Sequence, residues 1–131
     1  MPLTMCSIVS ALGAACTSAA AFRAAFPNLY FGFTGFITFA GAAATRDALA
    51  CGAVPLSRVL LETDGPHMMP EATPSSGRAT GPQRKGKRGG VCHPGHIPAV
   101  AEGVAAAMGG GSTAAQVLSA ARVNTRTVYG V

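Results

Sequence analysis

A single carboxylate stands where an α/β protein would place a catalytic group. Asp64 follows the apolar run 59–61 and Glu62, and Gly65-Pro66 then turns the chain away. Parallel sheets hold ligands and catalytic groups at the carboxyl ends of their strands, so Asp64 would project into a site. A carboxylate there binds a hard cation or accepts a proton from water. The alternative is that Asp64 only forms a turn or caps a helix.

The other titratable residues nearby give weaker signals. Glu62 ends the same apolar run, and we predict a structural role for it. His67 follows Asp64 by three residues and either lines the rim of a site or, as we favour, lies in solvent. Pro and Gly separate His93 from His96, which breaks the helical spacing of a metal-ligand pair, so we do not predict metal binding by these two histidines.

A basic cluster lies within residues 71–95, a segment rich in Pro, Gly and Ser. Its charged members are Arg84, Lys85, Lys87 and Arg88. They are candidates for contact with nucleic-acid phosphates or for a nuclear targeting patch. The alternative, which we favour, is a solvated loop, because no aromatic residue is interleaved for stacking on bases.

The composition describes one small domain with a thin core. The chain has 131 residues and a formal charge of +5, and 26 alanines stand against 27 Leu, Ile, Val and Phe residues together. Few large apolar side chains limit the surface that folding can bury. The absence of any run of about 18 strongly apolar residues argues against a membrane-spanning helix. The modest basicity permits a polyanionic partner without requiring one.

The cysteines give little information on compartment. Cys6, Cys16, Cys51 and Cys92 are widely spaced and form no C-x-x-C pair, so a zinc knuckle or redox motif is unsupported. Two disulfides could form in a secreted protein, but no compact spacing indicates them. Residues 1–26 would suit a secretory signal, except that no Lys or Arg precedes the apolar stretch. We therefore favour an intracellular protein over a secreted one.

Hydrophobic patterning predicts an α/β fold. Residues 1–26 are Ala-rich and predict a helical N-terminal segment. Residues 27–70 contain two apolar runs, 29–39 and 57–62, with a short helix between them at 41–51. Runs without polar alternation are typical of strands buried on both faces, and strand-helix-strand spacing indicates a parallel crossover.

A loop and a helical tail follow. Residues 71–95 show no periodicity and predict a disordered basic loop. Residues 96–131 predict C-terminal helices, and Thr113 with Gln116 gives a capping box at the start of the second. Asn124 would cap a last short turn.

Four segments resemble the TatD-type metal-dependent deoxyribonucleases. The family places a GFTG strand before an LLETDAP strand, and here residues 32–35 read Gly-Phe-Thr-Gly and residues 60–66 read Leu-Leu-Glu-Thr-Asp-Gly-Pro. Residues 97–102, Ile-Pro-Ala-Val-Ala-Glu, match its IPxVAE helix. Residues 123–130 are similar to its closing N-x-x-R-L-F-G sequence. The motifs occur in the family's order and cover residues 27–131, which makes the resemblance specific.

The resemblance implies an α/β fold that is the C-terminal part of a TIM (β/α)8 barrel metallohydrolase, with about the last two strands and their helices. It also implies DNA as substrate and phosphodiester cleavage by metal-activated water. The family uses two divalent metal ions, and the sequence does not distinguish Mg, Mn and Zn. Of the family's metal-site residues only Asp64 carries over, as a metal ligand and as the residue that orients the attacking water.

Other family ligands have no counterpart in the sequence. The H-x-H motif of the first strand is absent, and no histidine precedes His67. One carboxylate cannot hold two metal ions. We therefore expect the chain alone to be inactive, not to retain the metal, and to need a missing N-terminal barrel half. The alternative is a non-catalytic, basic nucleic-acid-binding remnant that uses residues 84–88.

Overall fold

Three parallel strands form the sheet that positions the candidate site. The computed structural model describes residues 15–71 and 91–131 in full, and the backbone of residues 7–10. The strands are β1 (Ser7–Ser10), β2 (Leu29–Phe33) and β3 (Val59–Leu61). They pair in chain order, β1-β2-β3, and both pairs are parallel.

Four α-helices connect and cover these strands. They are α1 (Cys16–Ala25), α2 (Ala43–Ala50), α3 (Ile97–Met108) and α4 (Ala114–Tyr129). Helix α1 leads from β1 to β2, and α2 leads from β2 to β3. The predicted strand-helix-strand crossover is therefore confirmed. Within the described ranges, no helix is both long and apolar enough to cross a membrane.

The core lies between one face of the sheet and the helices. Alternate side chains of a strand point to opposite faces, and Leu29, Phe31 and Phe33 share the core with the helices. The largest fully buried side chains are Phe31, Leu49, Val54, Val59, Val100, Val104 and Val117. Because most of these are valines, the core is thin, as the composition predicts.

Helix α4 begins with the predicted capping box. Thr113 Oγ1 accepts a hydrogen bond from the Gln116 amide at 3.2 Å, and Gln116 Oε1 accepts one from the Thr113 amide at 2.9 Å. The helix does not end at Asn124, as predicted, but continues through it. Asn124 is buried, and its Nδ2 donates to the carbonyls of Leu56 at 3.0 Å and Val59 at 2.8 Å. Asn124 therefore ties α4 to β3 instead of capping a turn.

The N-terminal segment differs from the helix predicted over residues 1–26. Ser7–Ser10 pairs in register with β2, so that residue 9 lies opposite Phe31. Strand pairing with β2 outweighs the helical propensity of the Ala-rich surroundings, since such propensities are weak priors. The sheet has three strands where the sequence predicts two.

The predicted strand 29–39 is also shorter than expected, because β2 ends at Phe33. Thr34 Oγ1 accepts a hydrogen bond from the Phe36 amide at 3.3 Å and begins a 3-10 turn. Arg46 of α2 donates to three carbonyls of this turn and the residues after it, at 2.6 to 3.3 Å. These side chains satisfy backbone groups that a longer strand would have paired in the sheet.

A disulfide joins the two crossover helices. Cys16 is the first residue of α1, and Cys51 follows the last residue of α2. Their Cα atoms are 6.5 Å apart although 35 residues separate them in sequence. Compact cysteine spacing could not indicate this bond, because the fold brings the two residues together. Cys92 is buried as a free thiol.

Candidate functional site

The carboxyl ends of β2 and β3 meet at one edge of the sheet. Phe33 lies opposite Leu61, and the Glu62 amide donates to the Phe33 carbonyl at 2.9 Å. The pairing therefore continues one residue beyond β3. Glu62 and Asp64 leave the sheet at the edge where parallel α/β proteins place their sites.

Asp64 is exposed and lies three residues after the end of β3. Its carbonyl accepts a hydrogen bond from the His67 amide at 2.7 Å, which closes a turn. Within the described ranges, neither the Asp64 carboxylate nor the Glu62 carboxylate has a hydrogen bond or an ion pair. Both are therefore available to bind a hard cation or to accept a proton.

Glu62 extends across β2 at a position where Gly32 leaves room for it. A Cβ atom on Gly32 would lie 3.0 Å from Cδ of Glu62 and closer still to its Oε1. The missing side chain therefore allows the Glu62 carboxylate to point across β2. Because Glu62 is exposed, its carboxylate lies along the strand end and is still open to solvent.

The segment that carries Asp64 is held at both ends. The Cys92 amide donates to the Pro66 carbonyl at 3.1 Å, just after the turn. Farther along, the Glu71 amide donates to Thr38 Oγ1 at 2.8 Å. Both contacts come from segments that are distant in sequence, so the position of Asp64 depends on the fold and not only on its own turn.

His93 and His96 form a cap before α3. The Gly95 amide donates to His93 Nδ1, and the His93 amide donates to His96 Nδ1, each at 3.1 Å. The two rings lie 4.1 Å apart. Backbone N–H groups therefore occupy both Nδ1 atoms, which explains the pair as a helix-capping device. His67 is exposed on the Asp64 turn.

A shallow groove of about 400 Å³ lies beside this edge, lined by Thr38, Arg46, Glu71 and the surface of α3. Arg46 donates to backbone carbonyls of the preceding turn, so it stabilises the groove wall. The basic residues singled out by the sequence, Arg84, Lys85, Lys87 and Arg88, lie outside the described residues.

The carboxylates at this edge match only part of the ligand set that a metal site needs. No group of three or more His, Cys, Asp or Glu residues in the described ranges comes together to hold a metal ion. The carboxylate oxygens of Glu62 and Asp64 suit a hard divalent cation. They would form a fraction of its ligands, and a complete site would need others.

A parallel sheet packed against helices, with unpaired carboxylates after its last strand, is typical of one class of protein. This class is the α/β proteins that have acidic sites at the carboxyl ends of their strands. The chain belongs to the family of TatD-related DNases, whose model matches residues 14–130. This match confirms the family that the four sequence motifs indicate.

Two known proteins are similar to this chain. The 3'-5' RNA nuclease TATDN2 of Homo sapiens is 41% identical over 51 residues, which are 39% of this chain and 6% of that protein. The crystal structure of YJJV, a TatD homologue from Escherichia coli K12, matches with a TM-score of 0.68 and 25% sequence identity. That match covers 95% of this chain and 40% of the YJJV chain. The chain thus has an α/β fold similar to that of a TatD homologue and spans less than half the length of either relative.

Proposed function

We propose that this chain is the C-terminal portion of a TatD-type, metal-dependent nuclease that hydrolyses DNA phosphodiesters. In this proposal Asp64 is one ligand of the divalent cation, and residues outside the described ranges complete the site. The observation that carries the proposal is the exposed, unpaired carboxylate of Asp64 at the carboxyl end of β3, in a chain of the TatD-related DNase family.

The sheet supports the assignment to part of a barrel. Its strands are all parallel, and the helices share a core with one face. By alternation, Tyr30 and Leu60 point to the other face, which a closed barrel would turn inward. A TIM barrel needs about 250 residues. We therefore assign β2 and β3 to the last two barrel strands and β1 to the strand before them.

The residues at the strand ends would act through charge and hydrogen bonding. A divalent cation held there would supply an activated water and neutralise charge on the attacked phosphate. The Asp64 carboxylate would bind the cation and orient the water. Glu62 adds a second acceptor at the same edge, in the direction that Gly32 allows.

The described residues alone do not account for hydrolysis. A hard divalent cation takes six or more oxygen ligands, and the two-metal mechanism of the family needs enough protein ligands to hold both ions. Glu62 and Asp64 are the described carboxylates at this edge, and no third ligand joins them within the described ranges. We therefore infer that the 131-residue chain neither retains the metal nor cleaves DNA by itself.

The direct test is a chimera in which this chain replaces the matching 40% of YJJV. We expect the chimera to cleave DNA only with Mg²⁺ or Mn²⁺, as measured by release of labelled nucleotides. Asp64→Asn should lower the rate by roughly 100-fold or more, because an amide binds a hard cation weakly and takes up no proton.

The matched control is Asp47→Asn, which removes the same charge from an exposed position of α2. It should leave the rate of the chimera unchanged. Unmodified YJJV serves as the reference for activity, and the isolated chain serves as the expected inactive sample. Equal rates in the Asp64→Asn chimera and its parent would contradict the proposal.

The alternative of a basic nucleic-acid-binding remnant is not favoured by the family match. Its residues, 84–88, lie outside the described ranges. DNA binding that falls steeply with salt, needs no metal and survives Asp64→Asn would support it instead.

A further inference from the structure

We propose that Gly35 and Thr38 are positioning residues that fix the Asp64 loop, which is residues 62–71, against the turn that follows β2. The inference rests on the proposed function and adds two residues to it. Neither residue carries a charge or reaches the strand-end carboxylates, so each would act through the backbone of the loop.

Gly35 lets the Asp64 loop approach the turn closely. A Cβ atom at this position would lie 3.0 Å from the carbonyl carbon of Met68 and from the nitrogen of Pro70. It would lie closer still to the Met68 carbonyl oxygen. All of these are backbone atoms, which cannot move away by a change of rotamer. A side chain at position 35 would therefore displace the loop itself.

Thr38 joins the two segments through its hydroxyl group. Its Oγ1 donates to the Gly35 carbonyl at 2.7 Å and accepts from the Glu71 amide at 2.8 Å. One hydroxyl thus satisfies a carbonyl on one segment and an amide on the other. Its methyl group is fixed as well, because Gly103 of α3 leaves space for Cγ2, which would lie 3.0 Å from a Cβ atom there.

The two contacts determine where Asp64 can lie. The loop leaves the sheet at Glu62, whose amide is paired with β2. It returns at Glu71, whose amide contacts Thr38 in the turn that follows β2. Asp64 lies between these two anchors. The Cys92 amide holds Pro66, but the His67 amide donates to the Asp64 carbonyl at 2.7 Å. If the second anchor is lost, a shift of residues 67–71 is therefore passed to Asp64 through this turn. Mutation of a group that orients a metal ligand commonly lowers metal affinity by about 10- to 100-fold.

The first pair of variants tests the hydroxyl group. Thr38→Val keeps the shape and the methyl contact but removes both hydrogen bonds, whereas Thr38→Ser keeps the hydroxyl. Thr127→Val is the matched control, because among the described residues Thr127 Oγ1 donates only to the Val123 carbonyl, on an exposed part of α4. The second pair is Gly35→Ala and its control Gly41→Ala, since a Cβ atom on Gly41 meets nothing within 4 Å.

The readout is the binding of MnCl₂ to the YJJV chimera described above, followed by electron paramagnetic resonance of the free ion. In the chimera that carries the wild-type sequence of this chain we expect saturable Mn²⁺ binding, and we expect Asp64→Asn to weaken it. Thr38→Val should weaken the apparent Mn²⁺ affinity by roughly 10-fold, the low end for an outer-shell partner. Thr38→Ser, Thr127→Val and Gly41→Ala should bind as the wild type does. Thermal unfolding checks that Thr38→Val remains folded.

The outcomes distinguish a failure of the positioning role from a failure of the proposed function. Weaker Mn²⁺ binding in Thr38→Val, restored in Thr38→Ser and reproduced in Gly35→Ala, supports the positioning role. Unchanged binding in both folded variants, with Asp64-dependent binding intact in the unsubstituted chimera, overturns the positioning role alone. A folded chimera whose Mn²⁺ binding does not depend on Asp64 overturns the proposed function, and the positioning role falls with it.

Discussion

At the scale of single residues, the molecule uses glycines to let side chains and loops approach the strand ends. Gly32 makes room for the Glu62 carboxylate, and Gly35 makes room for the backbone of the Asp64 loop. The atoms that lie against these two glycines differ in how easily they can move. The end of the long Glu62 side chain lies against Gly32, whereas the backbone carbonyl of Met68 lies against Gly35.

This difference predicts that glycine-to-alanine substitution destabilises the protein less at position 32 than at position 35. We expect Gly32→Ala to change the free energy of unfolding by less than about 1 kcal/mol, because Glu62 can adopt another rotamer and alanine suits a strand better than glycine does. Gly35→Ala should lower it by about 1 to 3 kcal/mol, since the backbone must shift. Urea denaturation measures both. A loss above about 2 kcal/mol for Gly32→Ala would show that Glu62 is held firmly in its present position.

The sequence indicates Asp64 as a candidate site residue, but it does not indicate the two residues that we propose to position it. The position of Asp64 after an apolar run is a local signal, which can be read from a strand and the turn after it. The partners of Thr38 and Gly35 lie about 33 residues along the chain, as the Thr38 contact with Glu71 illustrates. No sequence pattern in either segment predicts that it contacts the other. Only the parallel crossover brings them together.

At the scale of elements, the disulfide holds the two crossover helices at fixed positions around β2. Cys16 begins α1 and Cys51 follows α2, so the bond closes a loop that contains the central strand. For a separation of 35 residues, the chain-entropy model gives a stabilisation of about 4 kcal/mol. This is a large share of the stability of a domain with a thin core.

We expect reduction of this bond to lower the free energy of unfolding by about 2 to 4 kcal/mol. The measurement compares urea denaturation of the wild type with and without a thiol reductant. The control is the double variant Cys16→Ser, Cys51→Ser, which should match the reduced wild type and should not respond to the reductant. An unchanged midpoint in the reduced wild type would contradict the stabilising role.

The elements were predictable where their signals are local. The capping box of Thr113 and Gln116 specifies the start of α4 within four residues, and it was confirmed. Strand β1 was missed because its pairing with β2 is decided by tertiary structure. The prediction that Asn124 caps a turn was wrong for the same reason. Its amide group donates to a backbone carbonyl about 65 residues away, inside the core, so Asn124 lies within α4 and not at a helix end.

At the scale of the whole molecule, both the described sheet and the candidate site have fewer parts than the proposed nuclease needs. Three parallel strands carry helices on one face, and the chain corresponds to 40% of the YJJV chain. The strand ends present carboxylates, but the described residues do not gather three metal ligands. A nuclease site on this scaffold therefore requires ligands from polypeptide beyond the described residues, which is the central claim of the proposed function.

The most direct test of this claim is the mass of the polypeptide captured from its source cells with an antibody to α3 and α4, measured under native and then denaturing conditions. The account predicts a barrel of about 250 residues, either as one chain or as this chain with a different partner chain, and thus a native mass roughly twice 13.1 kDa or more. A species of 13.1 kDa alone, or an assembly of identical 13.1 kDa chains, would contradict it.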